Sequence, residues 1–227
     1  MEGIRIITMY FFLHPISSLN HLVARLFTDQ IVLFASIIFF FYLGASLNST
    51  YWKNLDEKIG NWSSNSRIEL LKTRSNDFAI FGNAIFHIAF SLIFAIIVFL
   101  AKHKSLLSIS ILFTLIFSWG LNRLLKIIYK RERPKQVAEN TEKRLSYCFP
   151  SGHVMASISI YFFSSVLLQN FMPFFPWYLI SLVICFFVVL SRIFLNHHFF
   201  TDILGGICMG IVALNISIWV YFLLGVL

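Results

Sequence analysis

The chain has 227 residues, of which 58% are hydrophobic and only 12% charged, where a soluble domain carries about 25% charged residues. Its mean hydropathy of +0.79 excludes an ordinary soluble protein. The net charge of +8 would suggest nucleic acid in a soluble domain. Here the cations stand between long uncharged runs, where topology and attraction to anionic lipid headgroups explain them, and no nucleic-acid partner is expected.

In chain order, residues 1–29 contain the apolar stretch Ile6–Leu13, which follows Arg5 and precedes His14 and His21. A helix crossing a hydrocarbon core of roughly 30 Å needs about 20 apolar residues, so this stretch is too short. It reads as an interfacial segment, not a cleaved leader, because no small-residue cleavage site follows it. Uncharged runs then occupy Ile31–Trp52, Phe78–Ala101, Ser105–Asn122, Val154–Ser191 and Ile203–Leu227. The fourth run is too long for one crossing, and Pro173 and Pro176 divide it. The expectation is an all-α polytopic membrane protein. Six transmembrane helices form one bundle, and residues 30–227 make a single domain.

Six crossings place the connections at about 53–77, 123–152 and 192–202 on one face, with 14 of the 18 Lys and Arg residues. By the positive-inside rule that face is cytoplasmic. Cys185 and Cys208 fall in spans and Cys148 in a loop, with no metal or disulfide spacing, so all three read as free thiols. Asn83, His87 and Asn215 lie in predicted spans, where hydrogen bonding between helices is their expected role.

Three segments on the crowded face carry chemistry. Lys126–Pro134 holds Lys126 and Arg133 seven residues apart, which on a continuous helix would place two cations on one face, suited to a phosphate. Pro134 is expected to stop that helix. Pro150-Ser151-Gly152-His153 precedes an apolar span. Ser151 reads as a helix cap, Gly152 lets a ligand approach the backbone, and free N–H groups at a helix start bind anions. Ser191–Asp202 places Arg192 at a span end and spaces His198 and Asp202 by four residues, so that the carboxylate can hold the imidazole ring and make it a usable nucleophile. Phosphoryl transfer is catalysed largely by positioning and charge stabilisation. No carboxylate cluster suggests magnesium and no Cys/His spacing suggests zinc, so neither metal nor other cofactor is expected.

These segments resemble the signature of the type 2 phosphatidic acid phosphatase superfamily: K-x6-R-P, P-S-G-H and S-R-x5-H-x3-D. Lys126, Arg133 and Pro134 fill the first part, Pro150 to His153 the second, and Ser191, Arg192, His198 and Asp202 the third. The spacing singles out His198 and leaves adjacent His197 outside the motif. The resemblance implies a metal-independent membrane phosphatase in which His198 attacks phosphorus to give a phosphohistidine, Asp202 holds its ring, and His153 protonates the leaving group. Lys126, Arg133, Ser151, Gly152 and Arg192 would bind the phosphate oxygens.

Undecaprenyl diphosphate, phosphatidylglycerol phosphate, phosphatidate and lipid A phosphates all fit as substrates, with a bacterial envelope lipid favoured. The loop Lys135–Phe149, with Glu139, Asn140, Glu142, Lys143 and Arg144, is the expected headgroup selector. Many bacterial relatives place this site on the outer, periplasmic face of the cell membrane, against the Lys/Arg count. Alternatives are a phosphotransferase or small-molecule phosphatase on the same scaffold, or an inactive lipid-binding protein. Oligomeric state has no signal in the sequence.

Overall fold

The computed structural model describes residues 29–66, 68–102, 105–134, 147–169 and 172–226. They form eight helices and no strand: α1 Gln30–Ser46, α2 Thr50–Asn65, α3 Glu69–Ile80, α4 Ala84–Lys102, α5 Ser105–Tyr129, α6 Gly152–Gln169, α7 Trp177–Phe194 and α8 Phe200–Val226. The interfacial segment expected for residues 1–29 lies outside the described residues except for Asp29, whose carboxylate caps α1 by accepting from Ile31 N at 2.8 Å. Residues 135–146 of the expected headgroup-selecting loop lie outside them too.

Helices α5, α6, α7 and α8 each contain a segment long and apolar enough to cross a membrane, and the bent pairs α1–α2 and α3–α4 bring the total to as many as six. Isoleucines 31, 85 and 116 are 70% or more exposed, as lipid-facing side chains would be. The described bundle is the expected all-α fold, with one revision. The stretch 53–77, expected as a loop, is largely helical. Helix α2 turns away from α1 by 95°. Ser49 starts it by accepting from Trp52 N at 3.4 Å, and Trp52, Asp56 and Ser63 face inward while Tyr51 and Trp62 stay exposed. This is a helical period written in polar residues, invisible to a search for apolar runs.

Helix α6 is the central post, packed against α5, α7 and α8, and 13 of its 18 residues are buried. Its serines bond across to neighbours: Ser159 to Ser118 at 2.9 Å, Ser165 to Ser181 at 2.7 Å and Ser157 to His87 at 3.2 Å. Small hydroxylated side chains allow close helix approach and bond across it where lipid offers no water. His87 therefore has the expected interhelical role, and Asn215 donates to Ile211 O at 2.9 Å.

Glycine at 206 is what brings α8 against the start of α6. A Cβ there would stand 2.8 Å from the Ser151 carbonyl oxygen and 3.2 Å from Val154 Cβ. Gly206→Ala is expected to destabilise by about 1–3 kcal/mol through overpacking. Thermal unfolding in detergent checks this; an unchanged midpoint would show that the two helices can part without penalty.

Candidate active site

All three sequence segments meet at one end of the bundle, with Lys126, Arg192 and Asp202 on the helices expected to carry them and Arg133 and His198 off them. Helix α5 ends at Tyr129, Lys130 turns the chain with φ 47°, and residues 131–134 are irregular. Lys126 thus sits in the last helical turn while Arg133 arrives on the segment beyond, so the expected shared helical face is replaced by a turn. Backbone bonds Cys148 N to Arg131 O and Ser151 N to Asp202 O, both 2.9 Å, tie the first segment to the second and the second to the third.

His198 lies in the turn before α8, not on it. Its Nδ1 is 3.4 Å from Asp202 Oδ2, a loose contact that falls short of a well-formed hydrogen bond. Asp202, in the first turn of α8, also accepts from Phe199 N at 3.0 Å, which caps the helix from within. Burial holds the His198 imidazole below its usual 6.5, Asp202 pulls against that, and Arg133 and Lys126 reinforce it. The ring is therefore neutral at neutral pH. With a hydrogen on Nδ1 toward the carboxylate, the Nε2 lone pair is open to an electrophile.

Arg131 and Asp56 were not singled out by sequence. Arg131 Nη1 donates to Asp202 Oδ1 and to Thr201 Oγ1, each at 2.6 Å, and Nη2 to Asp56 Oδ2 at 2.7 Å. Its guanidinium also lies 4.3 Å from the Phe199 ring centre. Asp56, reaching in from α2, accepts Thr201 N at 2.9 Å and Thr201 Oγ1 at 2.7 Å. Two carboxylates thus satisfy N–H groups at the start of α8, where the helix dipole also favours negative charge. The spacing picks out Arg133 and gives Arg131 no more weight than its neighbour Lys130, and Asp56 fell in a stretch read as loop.

Lys126 and Arg133 act electrostatically on His198 and Arg192 on His153, and Arg133 is close enough to act on both other cations. Arg192 is 3% exposed, and among the described residues neither it nor Lys126 forms an ion pair. Arg133 Nη1 reaches the His197 carbonyl at 3.4 Å. Clustered, partly buried cations repel one another, and a bound anion relieves that cost.

Ser151 does not cap α6. Its Oγ is buried and has no hydrogen-bond partner, so the hydroxyl is available to a ligand. Gly152 is needed for close approach, though to the protein itself. A Cβ there would lie 2.8 Å from Asn122 Oδ1, and Asn122 Nδ2 holds the Pro150 carbonyl at 3.1 Å. His153 Nε2 is 3.1 Å from Asn83 Oδ1. Asn83 stands in the break between α3 and α4, which the Tyr161 hydroxyl pins by donating to Phe81 O. Gly82 leaves room for the ring, since a Cβ there would be 3.2 Å from His153 Cβ.

Beside His198 opens a cavity of about 320 Å³, walled by α2, the α7–α8 turn and Pro134. The three cysteines are buried and free, and burial pushes the Cys148 thiol well above its usual range.

Fold and site together define an all-helical integral membrane protein with a buried His–Asp pair ringed by cations. Residues 107–225 match the model of the PAP2 superfamily, and the chain belongs to that superfamily. It is 36% identical over 96 residues to phosphatidylglycerophosphatase B of Bacillus subtilis, covering 40% of this chain and 46% of that one. It is 39% identical over 67 residues to lipid A 4'-phosphatase of Porphyromonas gingivalis, covering 30% and 27%. The matches therefore span less than half the length of these relatives. The fold is similar to the crystal structure of a transmembrane PAP2 type phosphatidylglycerolphosphate phosphatase from Bacillus subtilis, with a TM-score of 0.75, 26% identity, and coverage of 82% of this chain and 93% of that one.

Proposed function

We propose that this protein is a membrane lipid phosphate phosphatase working through a phosphohistidine, without a metal. The observation that carries the reading is His198 Nδ1 set 3.4 Å from Asp202 Oδ2, with Lys126 and Arg133 acting on the same buried ring. His198 Nε2 attacks phosphorus, an N–P bond forms as the P–O bond to the lipid breaks, and His153 gives its proton to the departing oxygen. His153 then takes a proton from water as the water oxygen displaces the imidazole and releases inorganic phosphate. The three cations, the Ser151 hydroxyl and the Gly152 N–H bind the equatorial oxygens, whose charge develops as the bonds exchange. Asn83 fixes the rotation of the His153 ring.

The substrate is a bacterial envelope lipid. The relatives' names favour phosphatidylglycerophosphate and lipid A phosphate, with undecaprenyl diphosphate and phosphatidate as further candidates. Phosphate release by purified protein in detergent with EDTA present, against these four lipids and glucose 6-phosphate, tests the reading. Release from a lipid that survives EDTA is expected. Loss of all activity with EDTA, or preference for the sugar phosphate, would overturn it.

The site faces the outer side of a bacterial cell membrane in this reading, and the Lys/Arg excess around it recruits anionic substrate as well as setting topology. Lys58 is exposed on α2. Lys58→Cys in intact cells is expected to react with a membrane-impermeant maleimide. Labelling only after lysis would place the site inside.

A further inference from the structure

We propose that Arg131, anchored by Asp56, is a positioning residue for this reaction: it holds the Asp202 carboxylate against His198 and does not bind the phosphate. The inference rests on the phosphatase reading. Arg131 lies between two of the residues assigned to phosphate, yet its contacts point elsewhere. Nη1 serves Asp202 and Thr201, Nη2 serves Asp56, and its face lies over Phe199. Thr201 Oγ1 accepts from Arg131 and donates to Asp56, closing the cluster. A guanidinium forked between two buried carboxylates is fixed in plane and in distance. Asp202 has two oxygens with separate duties: Oδ1 takes Arg131 at 2.6 Å, and Oδ2 faces Phe199 N and His198 Nδ1. Arg131 thereby sets the angle at which Oδ2 meets the imidazole.

The charge it supplies has a second consequence. Asp202 is faced by Arg131, by His198, by the Cys148 thiol and by Lys126. His198 is faced by Asp202, Arg133, Lys126 and His153. Arg131 itself is faced by Asp202, Asp56 and Cys148. Among the described residues, only Arg131 forms ion pairs with both carboxylates. Without it, Asp56 and Asp202 are two buried carboxylates that have each lost the cation they pair with. Asp202, no longer held down by Arg131, then keeps a proton to higher pH, or, ionised, holds the His198 proton more tightly. Either outcome requires a higher pH to reach neutral His198 beside ionised Asp202.

The test uses the full-length protein in dodecyl maltoside with phosphatidate as probe. Arg131→Met is expected to lower kcat by about 10- to 100-fold, leave KM within about twofold, and move the acid limb of the rate profile up by about one pH unit. Arg131→Lys keeps one charge but loses the fork. It is expected to fall between wild type and Met, and it decides the matter if the Met variant does not fold. Asp56→Asn, which can still accept Thr201 N, is expected to be the mildest. In parallel, the ¹³Cε1 resonance of His198, assigned by its loss in His198→Gln, is titrated in wild type and variant. An upward midpoint in the variant supports the proposal even if the protein hydrolyses none of the lipids, which would sink only the phosphatase reading. A raised KM with unchanged kcat would make Arg131 a phosphate ligand, and an unmoved acid limb and His198 midpoint would make it merely structural. Either overturns the proposal.

Discussion

His198→Ala is expected to eliminate phosphate release, by at least about 10⁴-fold in kcat, because loss of a nucleophile leaves only binding and electrostatic stabilisation of the phosphate. The fold should persist. Asp202 keeps its bonds to Arg131 and to Phe199 N, so removing the imidazole strands no buried carboxylate. The check is initial rates on the preferred lipid alongside thermal unfolding in the same detergent. A folded variant with activity within tenfold of wild type would remove His198 from the chemistry.

His153→Ala should be nearly as damaging on lipid, by about 10²–10⁴-fold, the range for loss of a positioned general acid. Its signature is dependence on the leaving group. A lipid alkoxide is a poor leaving group and needs the proton. Nitrophenolate is stable at neutral pH and leaves without it. With p-nitrophenyl phosphate the variant should form the phosphoenzyme readily and then stall, because the same residue activates water for the second step. A burst of about one equivalent of nitrophenol followed by slow turnover is the expected trace. Equal losses on both substrates with no burst would mean that His153 binds phosphate and does not transfer protons.

Apolar runs revealed the membrane helices because burial in lipid demands about 20 uncharged residues in sequence. They could not reveal α2, whose inward face carries Asp56 and Ser63 and whose helicity depends on packing and a Ser49 cap. The three motifs were legible as residue types at fixed spacing. Their geometry was not, because spacing alone assumes a continuous helix. Lys126 and Arg133 come together across a turn, and His198 reaches Asp202 from outside α8. Ser151 was expected to cap a helix, but its hydroxyl bonds nothing. Residues that act through others left the faintest trace. Arg131 and Asp56 are recognisable only once chain segments tens of residues apart are brought within 2.7 Å, and Asn83, noticed as a polar residue in a span, finds its partner His153 only in the fold.

The central claim is covalent: phosphate passes through His198. The direct measurement is an acid-free quench of the protein milliseconds after mixing with lipid carrying ³²P in its phosphomonoester, followed by denaturing gel and peptide mapping. The account predicts a label stable to alkali and labile to acid, on the peptide containing His198, weaker in His153→Ala, whose first step on lipid lacks its acid, and absent in His198→Ala. If no label appears while wild type turns over, or if it maps to another residue, the phosphohistidine route is wrong, and direct attack by water or a different nucleophile takes its place.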